Sequence, residues 1–374
     1  MPLLTRTTPP RATAPATRPA TRPAPWRLPA WMHAGRAASA PVLNLALQGG
    51  GAHGAFTWGV LDALAQQPGL RFEGLSGSSA GAMNAVVFAE GWRKGGAEGA
   101  REALATFWRA LGSQLPLEWL LKGRGEDIAL AEHGKLLLKW VGQFSPEQLN
   151  PLDLNALREL LRSQIDFEAL RAHSPFKLFV GATQANTGRL RLFRETELSV
   201  DVLLASACLP RVHRAVTIDG EPYWDGGYAA NPAVFPLFYE CRSRDVMLVL
   251  LSPLRHAGTP RTVEEIEQRA LELAFSANLM REMRSYAQAA AYAGQGSGWL
   301  RRGRLERRLQ AMRFHMIDTQ DIASMQRSET KLIAHGPFLE LLHDHGVARA
   351  QAWLKQHRAA LGVSGTLDVA QSFA

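Results

Sequence analysis

The sequence predicts an α/β fold: a mostly parallel central sheet flanked by helices, continued by a helical C-terminal extension. Three observations carry this. Val42-Leu43-Asn44-Leu45-Ala46-Leu47 is a short apolar run that stops at three glycines, as a strand buried on both faces does. Ala55 to Gln67 places Phe56, Val60, Leu61 and Leu64 on one helical face and ends at Pro68-Gly69. Leu70 to Leu75 is a second short strand, and Ala80 to Glu90 is the helix that follows it. Strand–helix–strand–helix is the order of a parallel sheet with covering helices.

The later elements extend the same pattern. A helix over 98–112 sets Leu104, Phe107, Trp108 and Leu111 for one face. Residues 113–150 are less regular, with apolar groups gathered around Trp119 and Trp140, and helices follow at 153–163 and 166–171. Phe176 to Ala182 reads as a buried strand, and Asn186-Thr187-Gly188 turns it into a hairpin with Leu190 to Phe193. Val200 to Ala207 is a helix stopped by Pro210, and a short β-like segment precedes Asp225. Val246 to Leu251 is a late core strand, Val263 to Ala291 a long helix without proline, and Phe314 to Ile317 a last strand. Two helices near 330–343 and 346–360 close the chain. The domain reading is a disordered Pro/Ala/Arg-rich leader over 1–40, a core over 41–240, and a continuation over 241–374 that supplies late strands and the helical extension.

Composition narrows the function classes. The chain has 374 residues, 46% of them hydrophobic and 20% charged, enough for a large core. Its net charge of +8 is local: residues 1–40 hold six arginines and no acidic residue, leaving 36 basic against 34 acidic residues elsewhere. A second cluster, Arg301 to Arg313, holds six arginines against Glu306 alone. The body is therefore near neutral, and no nucleic-acid partner is expected. Two cysteines, Cys208 and Cys241, give no disulfide framework and fit a reducing compartment. No apolar run approaches the roughly 20 residues of a membrane span, and the N-terminus lacks the apolar stretch of a secretory signal. A cytoplasmic location is expected, with the arginines of 301–313 as a candidate contact to anionic lipid headgroups. No zinc-type Cys/His spacing occurs, and neither metal nor organic cofactor is expected.

The chemistry lies in three glycine-rich motifs. Gly77-Ser78-Ser79-Ala80-Gly81 fits G-x-S-x-G, a strand-to-helix turn that presents Ser79 as a nucleophile. Small residues two positions either side let the chain turn without side-chain clash. Gly49-Gly50-Gly51-Ala52-His53-Gly54 follows the first strand and opens the first helix, so its N–H groups and the helix dipole favour negative charge. That loop also satisfies G-x-G-x-x-G, with Glu73 near the distance of a ribose-binding acid. A serine elbow at the next strand end favours one hydrolytic site over a dinucleotide site. Asp225-Gly226-Gly227 is the third motif; an aspartate before glycine is commonly a turn residue, and its conjunction with the other two gives it weight.

Together GGGAHG at 49–54, GSSAG at 77–81 and DGG at 225–227 resemble the patatin-like phospholipase family, with Ala205-Ser206-Ala207-Cys208-Leu209-Pro210 and Asn231-Pro232 as similar surroundings. The resemblance implies a three-layer α/β/α fold and lipid acyl-ester hydrolysis through a Ser–Asp dyad. Carried onto this chain it makes Ser79 the nucleophile and Asp225 the proton acceptor. It makes the loop of Gly49, Gly50, Gly51 and Gly54, chiefly around Gly50 and Gly51, the oxyanion hole. Gly77, Gly81, Gly226 and Gly227 become the glycines that shape the elbow and the acid turn. Family members often carry Arg or Lys at the fifth position of the glycine motif, where this chain has His53.

Other readings stand beside this one. A Ser-His-Asp esterase or thioesterase could use Ser79, Asp225 and His256. A catalytically silent lipid-binding module would keep the fold without the reaction. The apolar residues around Trp119 and Trp140 fit a lid or acyl groove, or packing against the sheet. The expected partner is a lipid or other acyl ester, with a peripheral membrane contact; the oligomeric state stays open.

Overall fold

The computed structural model describes residues 40–114, 118–150, 155–256, 258–295 and 303–373. The leader predicted over 1–40, except Ala40, lies outside the described residues, as do Arg301 and Arg302. From the start, β1 (Val42–Leu47), α1 (Gly54–Ala65), β2 (Arg71–Ser78) and α2 (Ala80–Ser113) reproduce the predicted alternation. A two-residue ladder of β3 (Leu121–Lys122) and β4 (Ala129–Leu130) follows, then α3 (Glu132–Val141), α4 (Pro146–Leu149), α5 (Ala156–Gln164) and α6 (Phe167–His173). Next come β5 (Lys177–Gln184), β6 (Leu190–Arg194), α7 (Val200–Ser206), β7 (Val216–Ile218), β8 (Glu221–Asp225) and α8 (Phe235–Glu240). The chain continues through β9 (Asp245–Val249), α9 (Val263–Gln295), α10 (Arg304–Ala311), β10 (Arg313–Ile317), α11 (Gly336–His357) and α12 (Val369–Phe373).

The main sheet runs β10-β9-β1-β2-β5-β8-β7, with β6 also on β5. Its first five strands are parallel, and β6, β7 and β8 run antiparallel to their neighbours. The central strands read as continuous apolar runs because helices cover both faces: β9 is buried at every residue and β1 at all but Val42. On one face α1 is buried along nearly its whole length and packs on α2 and α11. Glycines let these backbones meet: a Cβ on Gly346 would lie 3.0 Å from the Phe56 carbonyl carbon, and one on Gly59 2.8 Å from that of His343. This explains why the two helices predicted near 330–343 and 346–360 form one, α11: Gly346 is a packing position and does not break it. The predicted pair over 80–90 and 98–112 is joined in α2, whose backbone leaves helical geometry only at Gly95 and Gly96.

Among the described residues, no helix is long and apolar enough to cross a membrane. The arginine cluster divides. The Arg308 guanidinium donates to the Phe238, Cys241, Arg242 and Ser243 carbonyls, and Arg313 pairs with Asp245 at 2.5 Å. These two side chains thus close the edge of the fold, leaving Arg304 and Arg307 as the described remainder of the proposed headgroup contact.

Candidate active site

Ser79 stands where β2 turns into α2, with φ 54° and ψ −127°. A non-glycine residue with positive φ is strained, and it persists only where its surroundings leave no alternative. Here they do not. A Cβ on Gly77 would lie 2.5 Å from the Gly81 carbonyl oxygen, and one on Gly81 2.8 Å from the Leu47 carbonyl carbon. Asn84, one turn into α2, donates to the Gly54 carbonyl at 2.9 Å and accepts the Trp108 indole N–H at 3.0 Å, locking the elbow helix to the start of α1.

Sheet register brings Asp225 to this elbow. β2 pairs with β5 as far as Ser78 opposite Gly181, and β8 pairs with it from Ala182 opposite Asp225. Because β6 occupies the other edge of β5 over the same stretch, β2 and β8 must share one edge, end to end. The first runs parallel to β5 and the second antiparallel, so their C-terminal ends meet. Gly226 fits only as glycine, since a Cβ there would lie 2.6 Å from the Gly181 carbonyl carbon.

Asp225 is 1% exposed. Its N–H donates to the Cys208 carbonyl at 2.7 Å, and its own carbonyl accepts the Thr183 hydroxyl at 2.8 Å. The carboxyl is less well served: Oδ1 accepts the Gly227 N–H at 2.7 Å, and Oδ2 is buried without a hydrogen-bond partner. Burial pushes its pKa up to about 7, against the pull of the Gly227 N–H and of the nearby Ser79 hydroxyl, which acts on the carboxyl without closing a hydrogen bond to Oδ2.

The glycine loop lies directly on the elbow, since a Cβ on Gly49 would fall 2.8 Å from that of Ser79. Its N–H groups are not equivalent. Gly49 donates to Asn231 Oδ1 at 2.7 Å, and Gly54 donates back to the Gly51 and Ala52 carbonyls. The N–H groups of Gly50 and Gly51 carry no hydrogen bond among the described residues, and Gly51 is exposed. Of the four predicted loop glycines, two therefore hold the loop and two present donors.

His53 is wholly buried and points its function inward. Its Nε2 lies 2.7 Å from the Thr330 hydroxyl, whose single proton goes to the Ser324 or Arg327 carbonyl at 2.7 or 2.6 Å. His53 must then donate from Nε2. Burial and the Lys331 ammonium hold its pKa well below 6.5, so it is a neutral pin between loop and segment 328–332. Lys331 belongs to that segment: its carbonyl abuts Gly51 (φ 58°), and its Nζ lies 3.2 Å from Ser252 Oγ and 3.9 Å from Glu272 Oε1. A cation, Lys331, thus stands behind the loop, contributed from far along the chain.

The alternatives place elsewhere. His256 lies 3.2 Å from Glu272 Oε2, beside Arg269, and contacts neither Ser79 nor Asp225. Glu73 sits at the opposite end of the sheet, its two oxygens taken by the Arg242 and Ser243 N–H groups at 2.7 Å, so it is not a ribose acid. Trp119 and Trp140 are exposed and do not pack against the sheet. Sequence reasoning gave no role to Ser206, whose hydroxyl accepts the Ser79 N–H, nor to Thr330 and Lys331. It noted Asn231 only as context. A cavity of about 500 Å³ opens beside Ala207, Val212 and Arg214, next to the residue whose carbonyl holds Asp225.

A family model described as patatin-like phospholipase matches residues 45–238, just over half of the chain, and spans all three motifs. Among solved structures, VipD from Legionella pneumophila is 14% identical, over 89% of this chain and 79% of that one. Its TM-score is 0.34. A comparison with curated proteins finds no match. The family match and the mostly parallel sheet between helices lead to one conclusion: the chain belongs to the patatin-like phospholipase family.

Proposed function

We propose that this chain hydrolyses fatty-acyl esters of phospholipids or lysophospholipids, with Ser79 as nucleophile and Asp225 as its base. Lipid acyl hydrolysis is the chemistry of the family; the residue roles are our reading. One observation carries them: a fully buried carboxyl with one unpartnered oxygen, its pKa near 7, held beside a strained serine. An ordinary carboxylate is a weak base at neutral pH, and burial brings this one close to the working pH.

In the acylation step Ser79 Oγ attacks the ester carbonyl carbon and its proton passes to Asp225. The resulting oxyanion faces the free N–H groups of Gly50 and Gly51, where each well-placed donor is worth on the order of 3 kcal/mol in the transition state. Collapse breaks the bond to the alcohol oxygen, which leaves with the proton. Water then attacks the Ser79 ester, Asp225 accepts its proton, and collapse frees the fatty acid and regenerates the serine. No histidine is needed, in keeping with the place of His256 beside Glu272 and Arg269 and with the hydrogen bond of His53 to Thr330. A cytoplasmic site of action with peripheral membrane contact belongs to the same proposal, supported by two buried cysteines that are not joined in a disulfide.

A lipid panel assayed with the wild type and Ser79→Ala, with released fatty acid read by mass spectrometry, tests the proposal. Release that disappears in Ser79→Ala supports it, as does fluorophosphonate labelling confined to Ser79. Undiminished release from the folded variant rejects it, and a folded wild type that neither hydrolyses nor labels is a lipid-binding module instead.

A further inference from the structure

We propose that the outward face of α3, with the turn that follows it, docks on an anionic lipid surface. Amphipathic helices of soluble proteins turn their apolar stripe inward. This one turns apolar side chains outward as well: Leu137 and Val141 are half-buried, but of its ten residues only Gly134 is buried. Leu136 is 70% exposed, Trp140 61% and nearby Trp119 60%, with Phe144 also exposed. His133, Leu136 and Trp140 follow at three- and four-residue steps along one face. The aromatic rings extend it: Trp119 stacks on His133 with centroids 6.2 Å apart, and Phe144 meets Trp140 at 5.0 Å. A contiguous exposed apolar strip of this kind marks an interaction surface.

Its position relates it to the site. At one end Lys135 Nζ lies 3.6 Å from Glu329, in the segment that backs the glycine loop. At the other, Gly142 lies against the Arg211 guanidinium, and Arg214 donates to the Glu147 carbonyl at 3.2 Å. Arg211 follows shortly after Cys208, whose carbonyl holds the Asp225 N–H. The helix is therefore slung between the glycine-loop flank and the acid flank of the candidate site.

Charge selects the occupant. Lys139 on the helix and Arg211 beside its end are exposed, and neither forms an ion pair among the described residues. Glu147 is the carboxylate of that end, and Arg214 acts on it. Tryptophan and leucine beside unpaired cations are the composition of helices lying in an anionic membrane interface. A protein partner needs about 800 Å² per side for a stable contact, more than a helix this short offers.

The proposal rests on the lipid-hydrolase reading for its biological sense, and its test is independent of hydrolysis. The full chain is floated with vesicles of diether phosphatidylcholine, with and without about 30% diether phosphatidylglycerol, which contain no acyl ester. Flotation with the anionic vesicles is expected, and Leu136→Glu combined with Trp140→Glu should lower the partition coefficient about tenfold or more. Lys139→Glu should lower it several-fold and flatten its salt dependence. Hydrolysis of a water-soluble short-chain ester should stay within about twofold of wild type in both variants, because neither change reaches the catalytic groups. Equal flotation of wild type and double variant, or no flotation of either, overturns the proposal. So does a wild-type dimer by light scattering that the double variant dissociates, since a second copy would then cover the strip. Loss of ester hydrolysis in the wild type itself would instead sink the hydrolase reading and leave the flotation result standing.

Discussion

The Ser206 hydroxyl accepts the backbone N–H of Ser79 at 3.0 Å while donating to the Gly181 carbonyl at 2.6 Å. One buried side chain thus ties the strained elbow to the strand that also carries β8. Ser206→Ala leaves a donor and an acceptor unpaired, which costs on the order of 1–3 kcal/mol. We expect a lower urea midpoint and, because Ser79 is no longer held in register, a rate on a soluble ester reduced about tenfold or more. Wild-type stability and rate in this variant would show that the elbow holds its geometry unaided.

The pKa of Asp225 makes a prediction about rate. If its carboxylate takes the serine proton, kcat/KM rises with pH through about 7, whereas an ordinary aspartate would have reached its plateau near pH 5. The profile is measured on a soluble ester from about pH 5 to 9. A rate already flat above pH 5 contradicts the assignment.

The same shift makes a prediction about stability, with its sign fixed by linkage. The folded-state pKa, about 7, lies above the ordinary 3.8, so the folded chain holds this proton more tightly than the unfolded one. The stabilisation is fully present below about pH 4 and is lost as pH rises through about 7. Asp225→Asn keeps an oxygen for the Gly227 N–H and removes the buried charge. It should be more stable than wild type near pH 8, by up to a few kcal/mol, and lose that advantage towards pH 4. Its hydrolysis should fall by several orders of magnitude. Thermal unfolding at the two pH values, paired with an ester assay, reads both effects, and equal melting temperatures at pH 8 would refute the stability half.

Lys331 offers a test of the field behind the glycine loop. It lowers the pKa of His53 by charge alone, so its ammonium reaches the loop electrostatically. Lys331→Met should reduce kcat about tenfold with little change in KM, because a fixed charge near the oxyanion acts on the transition state. Lys331→Arg should retain most of the rate. Equal loss in both variants, or a change confined to KM, would assign Lys331 to packing.

How much of this was legible in the sequence follows from what glycine records. Gly49, Gly77, Gly81 and Gly226 are places where a Cβ would strike backbone, so the close approaches of loop, elbow and acid turn leave a visible mark in the chain. β1, α1, β2, β5 and β9 were equally plain, because burial on both faces demands apolar runs. Ser206, Thr330 and Lys331 were not. A serine, threonine or lysine has no local signature for a partner distant in the chain, and here the partners meet only in the folded molecule. For Trp119 and Trp140 the sequence left two readings open, a lid or groove and packing against the sheet, because an apolar cluster does not say which way it faces.

The end-to-end meeting of β2 and β8 on one edge of β5 has a further consequence. The gap between the serine and the acid is metered by a single peptide step of a third strand, from Gly181 to Ala182. That step is indifferent to the length of the chain's detour from β5 to β8. Turns such as Asn186-Thr187-Gly188 can lengthen, shorten or change sequence without altering the spacing. The strand serves as a ruler, and the ruler itself contributes no reacting atom.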